Sequence, residues 1–216
     1  MTQPAILSIL LANCLSLYYL FVWLPKPVSQ SRSLLKIAPM ILLILIGVFS
    51  AISPIVTIGL AACLVGDYFL SLEGEKNFIS GLSAFLIGHL FYITYFLNGF
   101  ELQYFYLQES KETLVLLSAL AALVLFRLWP HLKELKIPVI LYTIAIMAMA
   151  YFSRMAQPGL LVLSGVVLFV ISDVILANDK FTPLTSGRLR QLTPYAVWLL
   201  YFTSQSLIVA GLILPH

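Results

Sequence analysis

Charge is what this sequence has least of. Only 10% of its 216 residues are Asp, Glu, Lys or Arg, against roughly 25% in a soluble domain, which excludes a water-facing globular surface. Cysteine is scarce too. Cys14 and Cys63 both fall in apolar runs and read as buried free thiols, because a disulfide framework wants paired cysteines in loops. His89, His131 and His216 are the three histidines, too few and too scattered for the usual zinc triad. There is no H-E-x-x-H, no G-x-S-x-G, no P-loop and no dinucleotide fingerprint, so zincin, serine-hydrolase and nucleotide chemistries lack their signatures. The basic start of a cleaved signal is also missing, and the first apolar stretch is too long for a signal core.

Apolar residues are in excess: 61% of the chain, with a mean hydropathy of +1.01. About 20 such residues cross a bilayer. That rule predicts an all-α integral membrane protein, one domain over residues 1–216. Its eight spans are Ala5–Leu24, Leu34–Ser50, Pro54–Leu72, Phe78–Gly99, Thr113–Trp129, Ile137–Ser153, Pro158–Ala177 and Pro194–Leu214. The third, seventh and eighth are expected to open on their prolines, where no helical hydrogen bond is lost. The runs do not alternate as barrel strands would.

Basic residues orient the spans. Loops 1, 3, 5 and 7 with their flanks hold Lys26, Arg32, Lys36, Lys76, Arg127, Lys133, Lys136, Lys180, Arg188 and Arg190; the other loops and the termini hold only Lys111 and Arg154. The positive-inside rule then puts both termini outside the cytoplasm. Gly59, Asp67 and Leu70 are matched at identical spacing by Gly165, Asp173 and Leu176, offset by 106. The offset is close to half the chain and is compatible with a four-plus-four pseudo-repeat.

The chain has three aspartates, and "LVGDYFL" and "VISDVIL" place two of them, Asp67 and Asp173, inside spans. A charge at mid-membrane costs about 2.5–3.5 kcal/mol on insertion scales, so both are expected to face the bundle interior. Helix rise puts Asp67 roughly 7–8 Å and Asp173 about 6 Å from the cytoplasmic end of their spans. Lys36 falls in the first turn of span 2. Tyr142, Tyr201, His89 and Gln205 lie at roughly 7–16 Å from the same face. The pattern is that of a pocket open to the inner leaflet or the cytosol. A structural network joining helices, a proton-coupled transporter and a non-catalytic lipid-binding protein are the other readings these residues allow.

Several blocks resemble the YhhN-type lysoplasmalogenases. "GDYFL" (66–70) resembles that family's G-D followed by apolar residues. Phe78, Gly81, Phe85, His89 and Tyr92 are similar to its F-x-x-G-x-x-x-F-x-x-x-H-x-x-Y block. Ser172, Asp173 and Phe181 resemble its S-D block, and Tyr201 with Gln205 its terminal Y-x-x-x-Q. Lys36 and Pro39 match its lysine-proline segment more loosely, with Ile37 where proline often follows the lysine.

The resemblance implies a bacterial inner-membrane enzyme that cleaves the vinyl ether of lysoplasmalogens to a fatty aldehyde and glycerophosphoethanolamine or glycerophosphocholine. The expected partners are a lysophospholipid substrate and membrane lipids, with no nucleic acid; no cofactor or metal is called for, and the sequence sets no oligomeric state. A vinyl ether hydrolyses when an acid protonates the alkene carbon β to its oxygen and water traps the resulting oxocarbenium ion. Two carboxyls suit this chemistry, as they do the similar cation in glycoside hydrolysis. Asp67 and Asp173 are therefore the expected acid and base. His89, Tyr92, Tyr142, Tyr201 and Gln205 are expected to orient water or head group, and Lys36 to meet the phosphate.

Overall fold

The computed structural model describes residues 2–99, 106–182 and 188–214. Eight α-helices account for most of them, and no strand occurs among the described residues. The helices are α1 (Thr2–Tyr18), α2 (Gln30–Phe49), α3 (Pro54–Leu70), α4 (Glu75–Asn98), α5 (Tyr106–Leu128), α6 (Lys136–Ala156), α7 (Leu160–Phe181) and α8 (Arg188–Ile213). Seven of these segments are long and apolar enough to cross a membrane. The other, α3, is apolar but has 17 residues, about 26 Å of helix.

Local chemistry sets the ends. Ser29 takes an extended conformation and its hydroxyl accepts the Arg32 N–H at 3.3 Å, so α2 starts at Gln30, a turn before the expected Leu34. Pro54 opens α3 as expected. Pro158 does not open α7. Gln157 and Gly159 both hold positive φ, 47° and 91°, and with Pro158 between them they form the turn, leaving Leu160 to begin the helix. Nor does Pro194 open α8. The helix starts at Arg188 and Pro194 lies inside it, because "RLRQLT", read as loop for its charge, is helical.

Below Tyr18 the first helix loosens into a π-helical turn, Tyr19–Trp23, in which the Leu24 N–H reaches the Tyr19 carbonyl at 2.9 Å. The wider turn coincides with Tyr19 and Leu20 becoming buried on a helix that is otherwise largely peripheral. Such turns are frequent at functional sites.

The tightest pairings are α3 with α4 and α7 with α8, and small residues allow them. A Cβ added at Gly88 would lie 2.7 Å from the Cys63 sulfur, and one at Gly165 2.7 Å from the Ser204 backbone oxygen. Gly81 and Gly88 thus serve close helix packing. Cys63 is buried, but Cys14 is exposed on the outer face of α1, contrary to its expected burial. Large apolar side chains such as Phe49, Phe126 and Leu160 point outward. The interior holds aromatic and polar groups instead, including Tyr92, Phe169, Phe202, His89 and Gln205, all under 3% exposed.

Candidate functional site

Asp67 sits in the last turn of α3, where it is 2% exposed. Lys36 of α2 holds it twice: the ammonium lies 3.4 Å from Oδ1 and donates to the Asp67 backbone carbonyl at 3.2 Å. The early start of α2 makes this reach possible, since it places Lys36 in the second turn rather than the first. Its side chain is largely buried, with the ammonium 5.7 Å from the Trp198 ring centroid. From α8 the Tyr201 hydroxyl donates to Asp67 Oδ2 at 2.6 Å.

Asp173 lies two turns before the end of α7. The Tyr142 hydroxyl of α6 donates to its Oδ2 at 2.5 Å. His89 of α4 approaches the same oxygen through Nε2 at 3.9 Å, too far for a direct hydrogen bond. The other imidazole nitrogen, Nδ1, is 2.7 Å from the Phe85 carbonyl. A carbonyl only accepts, so Nδ1 carries a proton, and in the neutral form of the ring Nε2 turns its lone pair toward Asp173. His89 is fully buried, and Nε2 has no hydrogen-bond partner.

The two constellations correspond. Each aspartate takes a partner 31 residues earlier, Lys36 in one case and Tyr142 in the other. Each also takes one from a helix of the other half, Tyr201 or His89. The Phe169 ring lies between them, 5.4 Å from Tyr201 and 5.0 Å from His89 by ring centroids.

Both aspartates line one cavity of about 410 Å³, with Lys36, Tyr201, Tyr19, Trp198 and Ser172. Arg32, Glu73, Asp179 and Lys180 add charge to its walls. The residues come mainly from the start of α2, the end of α3, the end of α7 and the first half of α8, with Tyr19 from the π-helical turn. A narrower apolar cleft of about 50 Å³ adjoins it, lined by Leu82, Val124, Val139, Ile146, Met147 and Val174 among others. Leu70, Phe78, Phe85, Asp173 and Leu176 border both spaces. Asp173 therefore stands at the seam between a polar and an apolar chamber.

Five of the eight expected site residues, Lys36, Asp67, Tyr142, Asp173 and Tyr201, line these two spaces, and His89 approaches Asp173 from the core behind them. The other two pair elsewhere: the Tyr92 hydroxyl donates to Gln205 Oε1 at 2.6 Å, both side chains are sealed in the core, and neither lines either space. They tie α4, which carries His89, to α8, which carries Tyr201. Sequence reasoning missed Arg32, Glu73, Asp179 and Lys180, whose charges look like ordinary loop ends. His216 lies outside the described residues. Pro39 lies inside α2 and is buried, one residue before Met40, whose sulfur lies 3.7 Å from the Tyr201 hydroxyl.

Comparison with known proteins gives a consistent result. The sequence model of the YhhN family matches residues 31–212. Among relatives, the proteins named "Uncharacterized membrane protein YhhN" of Escherichia coli O6:H1 and Shigella flexneri are each 31% identical over 167 residues, 74% of this chain and 74% of theirs. A protein of Mycobacterium bovis named "Lysoplasmalogenase" is 31% identical over 150 residues, 68% of this chain and 55% of its own length. No solved structure matches the chain.

Proposed function

The chain belongs to the YhhN family, and on that premise we propose that it hydrolyses the vinyl-ether bond of lysoplasmalogens. The products are a fatty aldehyde and a glycerophospho-alcohol. The relatives named lysoplasmalogenase support the reaction class. The observation that carries the reading is the shared cavity: two aspartates from distant helices line one polar space that adjoins an apolar cleft. The polar space suits a glycerophosphate head group, and the cleft suits the start of a hydrocarbon chain.

The surroundings assign the two acids. Asp67 is paired with an ammonium and acts as the carboxylate. Asp173 has a phenol and a neutral imidazole for neighbours and acts as the acid. Asp173 gives its proton to the alkene carbon β to the ether oxygen, forming a C–H bond from the π pair and leaving an oxocarbenium ion. Asp67 stabilises that cation and takes a proton from the water that adds to it. The hemiacetal then collapses. Its hydroxyl proton returns to Asp173, and the proton on Asp67 passes to the departing glycerol oxygen, so both groups regain their starting state. Tyr142 and His89 position Asp173; Tyr201 and Lys36 position Asp67; Tyr92 and Gln205 brace the helices behind them.

The same proposal includes eight membrane crossings, α3 among them, with both termini outside a bacterial inner membrane and the cavity facing the cytoplasm. Support comes from the distribution of basic residues. It also includes descent from a duplicated four-helix unit, supported by the 106-residue offset, which relates Lys36 to Tyr142 as well as Asp67 to Asp173.

Aldehyde release by detergent-purified protein tests the reaction. Wild type is expected to turn over a vinyl-ether lysolipid, and Asp67→Asn and Asp173→Asn each to lose about 10²-fold or more in rate. Folded variants with full activity would remove both proposed roles.

A further inference from the structure

Three basic side chains line the polar cavity, and two are engaged. Lys36 is held by the Asp67 carboxylate and backbone carbonyl. Lys180 is exposed, with its ammonium 4.6 Å from the Phe78 ring centroid. Arg32 differs. Its Nε is buried and has no hydrogen-bond partner, and the Lys36–Asp67 ion pair does not include it. The Tyr19 phenol hydrogen-bonds the guanidinium but brings no charge to pair with it, and Nε is left without an acceptor. The Ser29 cap fixes Arg32 in the first turn of α2. It shares a helix face with Lys36, four residues on and about 6 Å along the axis.

A buried guanidinium donor without an acceptor is costly, and its planar fork matches the oxygens of a phosphate. We infer that Arg32 binds the phosphate of the lysophospholipid, a role the sequence alone gave to Lys36. This rests on the hydrolase reading for the identity of the lipid. Two features favour a lipid head group over free phosphate. The cavity wall also carries Glu73 and Asp179, so its charge is mixed and suits a zwitterion better than a bare anion. The cavity also adjoins the apolar cleft at Asp173.

Binding to the purified full-length protein tests this without requiring turnover. The probes are an alkyl-ether lysophospholipid, the phosphate-free 1-alkylglycerol of the same chain length, and inorganic phosphate as competitor. Arg32→Gln is expected to weaken lysophospholipid binding at least about tenfold and to leave alkylglycerol binding unchanged. Arg32→Lys keeps the charge but loses the fork, and is expected to fall between; it carries the test if Arg32→Gln does not fold. Inorganic phosphate is expected to compete only far above the lysolipid concentration. Wild-type affinity for the lysophospholipid in both variants, or equal losses for the two lipids, would overturn the assignment to Arg32. Efficient displacement by inorganic phosphate would overturn the lipid as its source. A protein that binds in the expected pattern but releases no aldehyde would refute the hydrolase reading and leave the phosphate site standing.

Discussion

The two aspartates were legible at the level of single residues because the physics there is severe. Charge inside an apolar run has a large cost, so each had to find partners, and each did. Lys36 was legible as a counter-ion for the aspartate pair, but not as the partner of Asp67 in particular. Its depth depends on where α2 begins, and the polar stretch before Leu34 conceals a serine cap. The partners in turn separate the aspartates chemically, and stability measures that separation. Lys36→Met leaves a buried carboxylate unpaired and is expected to cost about 3–5 kcal/mol. Tyr142→Phe leaves a buried neutral acid short of one hydrogen bond, at about 1–3 kcal/mol. Thermal denaturation in detergent should rank Lys36→Met clearly the less stable; equal losses would contradict an ionised Asp67 beside a neutral Asp173.

Hydropathy located every helix, since a run of about 20 apolar residues leaves few alternatives. The ends were less visible. At the start of α7, positive φ at Gln157 and Gly159 shows that the proline belongs to a turn, something no count of apolar residues reveals. At the start of α8, basic residues that resemble a loop extend the helix by six residues before Pro194. The joints between helices carry the orientation. In a background without Cys14, a cysteine replacing Gln157 in the α6–α7 turn should react in intact cells with a membrane-impermeant maleimide. One replacing Lys133 in the α5–α6 connection should react only after permeabilisation. Both side chains are exposed, so reversed labelling would mean reversed topology.

For the molecule as a whole, the sequence indicated a pocket near one face but not its two-chamber form. The polar cavity and the apolar cleft arise from packing among seven helices, α2 to α8, and only coordinates show Asp173 between them. The crossed pairing was equally hidden: α4 reaches Asp173 and α8 reaches Asp67, contacts spanning 84 and 134 residues of chain. This architecture fits proton delivery to a carbon atom of a lipid lodged across the seam. Turnover of a vinyl-ether lysolipid in D₂O, with the aldehyde trapped as it forms and read by mass spectrometry, tests that step directly. One deuterium on the carbon next to the carbonyl is the expected result. Aldehyde free of deuterium at that carbon would contradict carbon protonation, and with it the role given to Asp173.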